Sequence, residues 1–154
     1  MKSFKEKVAV ITGAGSGMGR YLAVLLAKDG ADVCVCDVNE ETLNETVAML
    51  RKYNVSVSSH LLDVSDKASI EALPQKVIDQ HGKVDLVFNN AGVTTGAHFK
   101  DMDEDNWDWV MGINFNGVVN STRAFIPHLI NNSEAAIVNT SSIFGMVAVP
   151  GQTV

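Results

Sequence analysis

Four short apolar runs along the chain contain no regular alternation with polar residues. They cover residues 8–11, 33–36, 86–88 and 135–138. A strand that is apolar on both sides is covered on both sides, which is typical of a parallel sheet packed between helices. Residues 55–62 form a fifth run, but three serines interrupt it, and this pattern predicts a strand at the edge of the sheet.

Between the apolar runs lie segments whose apolar residues recur at helical spacing, which predicts amphipathic helices. They cover residues 18–29, 40–52, 66–81 and 103–130. Asn39 and Ser65 precede the second and third segments and are the expected N-caps. Proline removes a backbone donor inside a helix, so we expect Pro74 to kink or delay the third helix and Pro127 to break or bend the fourth.

Strands and helices therefore alternate in the order β-α-β-α-β-α-β-α-β, which is the pattern of a doubly wound parallel α/β sheet. Nearly all crossovers between parallel strands are right-handed, so few topologies remain. We expect a Rossmann-type sheet with strand order 3-2-1-4-5. The chain of 154 residues shows no internal repeat or linker, so we expect a single domain over residues 1–154.

Composition excludes several classes of partner. The net charge of −6 argues against a nucleic-acid partner, because binding a phosphate backbone requires a basic face. No apolar run approaches the roughly 20 residues of a membrane span, and the N-terminus lacks the apolar core of a signal peptide. We therefore expect a cytoplasmic protein. Cys34 and Cys36 fit two small buried residues rather than a disulfide, and they form no metal-ligand spacing with the four histidines.

A glycine-rich turn joins the first strand to the first helix, with the sequence Thr-Gly-Ala-Gly-Ser-Gly-Met-Gly at residues 12–19. Glycine serves where the backbone needs a positive φ or where a ligand approaches closely. The start of a helix presents free N–H groups and a positive dipole end to an anion. The spacing departs from G-x-G-x-x-G, because Met18 and Arg20 stand where the last glycine would be. The turn is a candidate diphosphate site, and the alternative is a loop that only makes a turn.

Two acidic residues end the second and third predicted strands. Asp37 can accept both hydroxyls of an adenosine ribose, and its charge would repel a 2′-phosphate. Val38 follows it where a basic residue could have favoured NADP, so NAD is the expected cofactor and NADP the less favoured one. Asp63 could accept a hydrogen bond from the adenine amino group. The alternatives are an ordinary strand-end acid at Asp37 and a helix-capping acid at Asp63.

Five short motifs follow one another along the chain. They are Thr12-Gly13-x-x-x-Gly17-x-Gly19, Asp63-Val64, Asn89-Asn90-Ala91-Gly92, Ile113-Asn114-Phe115-Asn116-Gly117 and Ile137-Val138-Asn139-Thr140-Ser141-Ser142-x-x-Gly145. Each motif is weak or moderate by itself, but in this order and spacing they resemble the short-chain dehydrogenase/reductase family. The resemblance extends over essentially the whole chain. It implies a Rossmann-type fold, an NAD cofactor, and an alcohol or ketone as the small-molecule substrate.

The resemblance also implies cofactor contacts for the matching residues. The diphosphate cradle corresponds to Gly13, Ser16, Gly17, Met18 and Gly19. The ribose-binding, NAD-selecting acid corresponds to Asp37, and the adenine site to Asp63 and Val64. The segment that passes the adenosine ribose and ties the central strands together corresponds to Asn90, Ala91 and Gly92.

The catalytic residues match the family only in part. Asn114 corresponds to the asparagine that holds a water in the family's proton relay, and Ser142 to the serine that hydrogen-bonds the reacting oxygen. The family also has a Tyr at a spacing that falls just beyond Val154, and a Lys one helical turn later. That Tyr is the acid/base of the reaction, and the Lys lowers its pKa. Tyr21 and Tyr53 lie in the wrong part of the predicted sheet to replace it.

We therefore expect residues 1–154 to be an incomplete dinucleotide-binding domain that lacks the last strands of the family fold. The strand over residues 135–139 would then be an uncovered apolar edge. The expectation is that the natural polypeptide is longer, or that this chain is a poorly soluble, truncated remnant. We expect the chain to be inactive by itself.

Three hypotheses follow for function. The leading one is an NAD-dependent oxidoreductase that exchanges hydride between nicotinamide and an alcohol or ketone. The alternative is a non-catalytic NAD-binding pseudoenzyme or fragment that acts through a partner. The third is a methyltransferase-type sheet, against which residues 89–92 and Ser142 argue. By resemblance, the full-length form is a homo-oligomer that associates through the helix around residues 107–125, although the apolar face of that helix could equally be core.

Overall fold

Five parallel strands form one sheet in the computed structural model, which describes residues 3–147 and 150–151. The strands are β1 (Val8–Thr12), β2 (Asp32–Asp37), β3 (Val57–Leu61), β4 (Leu86–Asn89) and β5 (Ala136–Asn139). Their order across the sheet is β3-β2-β1-β4-β5, and every adjacent pair is parallel. The predicted Rossmann-type sheet and its strand order are confirmed, and the serine-diluted strand lies at an edge as expected.

Helices connect the strands and cover both faces of the sheet. They are α1 (Gly17–Lys28), α2 (Glu40–Leu50), α3 (Lys67–His81), α4 (Glu104–Met111) and α5 (Val118–Leu129), with a π-helical turn at Gly112–Gly117 and short 3₁₀ turns at Phe99–Asp101 and Ile143–Gly145. In the part of the chain that the structure describes, no helix has both the length and the hydropathy that crossing a bilayer requires.

The core divides into two layers because successive side chains of a strand point to opposite faces. Val8 and Val10 of β1 pack under α3 and α5, whereas Ala9 and Ile11 pack under α1 and α2. Every residue of β1 is buried, as an uninterrupted apolar run predicts for the central strand. Cys34 and Cys36 lie on one face of β2, buried and unoxidised, and their Sγ atoms are 4.0 Å apart.

The N-cap residue predicted for α2 is confirmed, whereas the one predicted for α3 is not. Asn39 caps α2 through a 3.0 Å hydrogen bond that its side chain accepts from the Thr42 N–H. The predicted cap of α3, Ser65, is wrong: Asp66 is the N-cap and accepts from the Ala68 N–H. The reason is that the Ser65 hydroxyl donates instead to Asp63 Oδ1, at 2.7 Å.

Both helices continue through their prolines. Pro74 lies inside α3, which begins at Lys67, so the helix is not delayed. The predicted break near Pro127 is wrong, because α5 runs through it to Leu129. The segment between α4 and α5 changes instead to π-helical geometry at residues 112–117. The residue four positions before Pro127, Arg123, is exposed, so water can bond the carbonyl that lacks its helical donor.

Candidate functional site

A cleft of about 360 Å³ opens at the carboxyl ends of the strands, where parallel α/β sheets bind ligands. Its lining residues come from the loops after β1, β2, β3 and β4 and from the π-helical turn. They are Gly13, Ser16, Gly17, Met18, Asp37, Val38, Leu62, Asp63, Val64, Asn90, Ala91, Gly92, Val93 and Ile113. Every residue for which the sequence predicted a cofactor contact lines this cleft except Gly19.

The glycine turn, residues 12–20, packs so tightly that a Cβ at Gly13, Gly15 or Gly19 would lie less than 3.0 Å from another atom. Gly13 has a φ of 64°, and a Cβ there would lie 2.8 Å from the Ala91 Cα atom. A Cβ on Gly19 would collide with the Gly13 carbonyl oxygen and would come within 2.6 Å of Asn90 Nδ2. Gly19 therefore lies beneath the cleft and supports its floor, so its contribution is to packing of the turn rather than to the lining.

Helix α1 begins with its polar end directed to the cleft. Ser16 is the N-cap residue, but its side chain makes no capping hydrogen bond, and the first turn of the helix contains no acidic residue. The first N–H groups of a helix have no partner within the helix. Because Ser16, Gly17 and Met18 line the cleft, this helix start combines free donors with the positive end of the dipole, the arrangement that binds anions.

Asp37, the last residue of β2, faces the glycine turn across the cleft. Its Oδ2 atom accepts a 2.8 Å hydrogen bond from the Gly15 N–H, and its Oδ1 atom accepts one of 3.0 Å from the Asn39 N–H. The carboxylate thus contacts the residue that caps α2 and also holds the turn that follows β1. Both sequence-based alternatives for Asp37 remain compatible with this geometry, because the residue lies in the cleft as well as at a helix start.

Asp63 and its neighbours form the wall after β3. Asp63 Oδ1 accepts hydrogen bonds from the Ser65 N–H at 2.8 Å and from the Ser65 hydroxyl at 2.7 Å. Val64 is buried against Gly117 of the π-helical turn, where a Cβ would lie 3.0 Å from Val64 Cγ2. Leu62 also lines this wall and was not predicted. The signal for it was its place directly before Asp63 at the end of a predicted strand.

Thr12 connects the turn to the segment after β4. Its hydroxyl oxygen accepts hydrogen bonds from the Asn90 and Ala91 N–H groups, each at 3.1 Å, and the residue is buried. The Asn90 side-chain amide donates to the carbonyl oxygens of Thr12 and Gly13, at 3.2 and 3.3 Å. These bonds join the ends of β1 and β4 through Asn90 and Ala91, the connection that the resemblance implied for residues 90–92. Thr12 is a supporting residue that sequence reasoning missed.

Asn114 lies in the π-helical turn and holds the loop after β4. Its Oδ1 atom accepts from the Val93 N–H at 2.9 Å, and its Nδ2 atom donates to the Val93 carbonyl oxygen at 2.8 Å. The Asn114 amide therefore pairs with both backbone polar groups of Val93, as a neighbouring strand would. Val93 and Ile113, at the two ends of this connection, both line the cleft.

Ser142 does not line the cleft. It lies in the serine segment, residues 139–147, and its Oγ atom accepts a 3.2 Å hydrogen bond from the Phe144 N–H at the start of a 3₁₀ turn. The segment is anchored at its beginning, because Thr140 donates through its N–H to the Asn89 carbonyl and through its hydroxyl to Asn90 Oδ1. Ser142 itself is exposed.

Metal chemistry has no evident site in residues 3–147 and 150–151, where no three His, Cys, Asp or Glu side chains are grouped to hold an ion. The cleft is instead lined by backbone donors, apolar side chains and two carboxylates.

Comparisons with known proteins agree with this geometry. A family model described as short chain dehydrogenase matches residues 7–154. SadH of Mycobacterium tuberculosis, which is named as an oxidoreductase, is 40% identical over 153 residues, covering 99% of this chain and 55% of that protein. The 3-oxoacyl-[acyl-carrier-protein] reductase FabG of Thermotoga maritima is 37% identical over 147 residues, covering 96% of this chain and 60% of that protein.

Solved structures give the same result. A short-chain dehydrogenase/reductase from Burkholderia phymatum in complex with NAD is 41% identical, with a TM-score of 0.95, and the match covers 99% of this chain and 54% of that one. The chain thus spans about half the length of the relatives that it matches.

Proposed function

Because the chain belongs to the short-chain dehydrogenase/reductase family, we propose that it is the NAD-binding part of an oxidoreductase acting on an alcohol or ketone. The nicotinamide supplies the hydride chemistry when bound, and the protein supplies binding and orientation. The observation that carries the proposal is the cleft in which an uncapped helix start faces the Asp37 carboxylate.

The diphosphate would lie against the start of α1. The backbone of Ser16, Gly17 and Met18 offers N–H donors there, and no acidic side chain in the first turn opposes an anion. Gly13 keeps the floor of the cleft open, because any side chain would meet Ala91. Gly19 contributes from below by letting the turn close onto Gly13.

The adenosine ribose would bind to Asp37. A carboxylate has about four lone-pair positions, and the Gly15 and Asn39 N–H groups use one on each oxygen. Each oxygen can therefore still accept a ribose hydroxyl. A 2′-phosphate would meet this negative charge, and the neighbouring Val38 offers no compensating cation, which favours NAD over NADP.

The adenine would lie between the walls formed after β2 and β3. Val38, Leu62 and Val64 provide apolar surface, and Asp63 Oδ2 can accept from the adenine amino group while Oδ1 holds Ser65. The backbone of residues 90–92 would pass the adenosine ribose on the opposite side. The assignments of Asp63, Val64 and residues 90–92 follow the family resemblance, and those of Val38 and Leu62 follow from the lining of the cleft.

For the chemical step, we assign Ser142 to the reacting oxygen and Asn114 to a bound water. The Ser142 oxygen accepts from the Phe144 N–H, so its hydroxyl hydrogen remains able to donate. Tyr21 lies in α1, and Tyr53 packs under α1 and α2, so neither can reach Ser142 as an acid/base. We therefore propose that the 154-residue polypeptide binds NAD without turnover. The alternative hypothesis, a non-catalytic NAD-binding pseudoenzyme or fragment that acts through a partner, predicts the same behaviour.

We further propose that the protein is a cytoplasmic homo-oligomer. Val110 and Phe125 of the helical segment predicted as the contact surface are buried core residues, but Trp107, Trp109 and Phe115 are exposed on it. One face of the segment is therefore core, and we propose that its exposed aromatic side chains contact a second subunit.

Calorimetric titration of NAD and NADP against the 154-residue chain and Asp37→Ala tests the proposal. The variant should lose about tenfold in NAD affinity, or about 1.4 kcal/mol, and much less in NADP affinity because the repulsion is removed. Asp37→Asn separates charge from contact, since its amide oxygen can still accept from the Gly15 N–H. Asp108→Ala, an exposed acid on α4, is the matched control and should change neither affinity.

Three results would each contradict a different part of the proposal. Equal losses for NAD and NADP in Asp37→Ala would refute the ribose assignment. Absence of NAD affinity in the unaltered chain would refute the cofactor site altogether. Measurable alcohol oxidation by the 154-residue chain would refute only the claim that it is inactive by itself.

A further inference from the structure

The Arg20 side chain connects the glycine turn to the outer helix α2. Its Nη2 atom contacts the Gly15 carbonyl oxygen, the Thr42 carbonyl oxygen at 3.0 Å and the Glu45 carboxylate at 2.8 Å. Its Nε atom donates to the Thr46 hydroxyl at 3.0 Å. One guanidinium thus spans two helices and the turn between β1 and α1.

Thr46 makes a second connection between α2 and the turn. It is fully buried, and its hydroxyl lies 2.9 Å from the Ala14 carbonyl oxygen. Side chains therefore bind the carbonyl groups of two consecutive residues: Thr46 of α2 binds that of Ala14, and Arg20 of α1 binds that of Gly15.

Fixing these carbonyls also fixes the N–H groups that follow them. In a trans peptide the C=O of one residue and the N–H of the next point in opposite directions. With the Ala14 carbonyl toward Thr46, the Gly15 N–H is directed to Asp37 Oδ2, at 2.8 Å. With the Gly15 carbonyl toward Arg20, the Ser16 N–H points away from the guanidinium, and Ser16 lines the cleft.

We propose that Arg20 is a positioning residue for cofactor binding: it binds the Gly15 carbonyl, so that the Ser16 N–H faces the diphosphate, and it holds the Thr46 hydroxyl, which through Ala14 directs the Gly15 N–H to Asp37. This inference rests on the proposed NAD site. The exposed ion pair with Glu45 adds little by itself, because surface pairs are weak. The fork of Nε and Nη2 supplies the geometry, and a lysine cannot reproduce a fork.

Binding of NAD and NADP to Arg20→Met tests this role. The variant should lose about tenfold in NAD affinity, and its NAD-to-NADP selectivity should fall because Thr46, which sets the Gly15 N–H that orients Asp37, is no longer held by the guanidinium. Arg20→Lys, which keeps the charge but not the fork, should lose about threefold. Arg51→Met, at the exposed end of α2, is the matched control and should stay within about twofold of the unaltered chain.

A double-mutant cycle separates positioning from general destabilisation. In an Asp37→Asn background, Arg20→Met should cost only about threefold, because part of its effect acts through the carboxylate. The amide NMR signals of Gly15 and Ser16 should shift in Arg20→Met and remain in place in Arg51→Met. A variant that is only less stable would show neither the coupling nor the loss of selectivity.

The failures are distinguishable. If the unaltered chain binds no NAD, the proposed function fails and this inference falls with it. If the unaltered chain binds NAD but both Arg20 variants keep its affinity and its selectivity, the positioning role alone is refuted. Should Arg20→Met fail to fold, Arg20→Lys decides by the same two criteria.

Discussion

The glycine turn and the serine segment each follow the carboxyl end of a parallel strand, but neighbouring elements hold them in different ways. The turn is bound from three sides: by α2, where Thr46 binds the Ala14 carbonyl and Thr42 accepts from Arg20, by β2 through Asp37, and by the segment after β4 through Asn90. Among the described residues, the hydrogen bonds of residues 141–147 run only within that segment. Its side chains, including Phe144 and Met146, are largely exposed.

The difference teaches which part of the candidate site is preorganised. A binding group holds its geometry when neighbouring elements fix it by packing and hydrogen bonds. The donors of the glycine turn meet that condition through partners that are distant in sequence. Ser142 meets it only through a local 3₁₀ turn. Substitutions should therefore have large effects in the first region and small effects in the second.

Replacing single glycines tests the contrast in both stability and cofactor affinity. Gly19→Ala places a methyl group against the Gly13 carbonyl and the Asn90 amide, so we expect a loss of about 1–3 kcal/mol in unfolding free energy and at least about tenfold in NAD affinity. The overlap outweighs the gain in helix propensity, which is at most about 1 kcal/mol. Urea denaturation and NAD titration measure the two losses.

Gly145→Ala is the control in the serine segment. No atom lies within 4 Å of a Cβ at Gly145, so its unfolding free energy should change by less than about 0.5 kcal/mol. Similar losses at Gly19 and Gly145 would remove the proposed difference between the two regions.

Replacing hydroxyl residues sharpens the contrast further. Thr12→Val keeps the shape of a buried side chain but leaves the Asn90 and Ala91 N–H groups without their acceptor. Each of these two groups costs about 1–3 kcal/mol when left unpaired, so we expect a total of about 2–6 kcal/mol in urea denaturation. Ser142→Ala should cost less than about 0.5 kcal/mol. A cost at Ser142 equal to that at Thr12 would show that the segment is anchored more firmly than its contacts indicate.

The smallest expected effect concerns an exposed acid that, like Ser142, caps an element through local bonds. The pKa of Asp103 is lowered because its carboxylate accepts hydrogen bonds from the backbone and side chain of Asn106 at the start of α4. The folded state therefore favours the charged form. Its contribution to stability is present above the unfolded-state pKa of about 3.9 and is lost as the pH falls through the lowered folded-state pKa.

Asp103→Asn should reduce the rise of melting temperature with pH across that acidic range. NMR titration of the Asp103 carboxyl carbon should report a midpoint below the value in an unfolded peptide. Superimposable melting curves for the variant and the unaltered chain between pH 2 and 5 would contradict this interpretation.

Much of the fold was predictable because it depends on local pattern. Apolar runs without alternation identified the buried strands, and right-handed crossovers restricted their order to the one observed. The N-cap of α3 was assigned one residue too early because Ser65 and Asp66 are both good capping residues. The π-helical turn escaped prediction because it depends on contacts with Val93 and Val64, which are remote in sequence.

The residues that line the candidate site could largely be predicted, but the residues that hold them in place could not. Strand ends at one edge of a parallel sheet converge, so residues after β1, β2, β3 and β4 could be assigned to one cleft. The position of Gly19 beneath the cleft and the contacts of Arg20 and Thr46 could not be read from sequence. They depend on how α1 and α2 pack together, which no motif records.

The paired hydrogen bonds between Asn114 and Val93 have a mechanical consequence for the cleft. Val93 cannot move away from the helical segment without breaking both bonds together, one through its N–H and one through its carbonyl. Val93 and Ile113 line the same side of the opening. The width of the opening on that side therefore depends on the position of the helical segment that carries Ile113 and Asn114. A tilt of this segment would move Val93 and Ile113 together and would widen or narrow the entrance to the cleft.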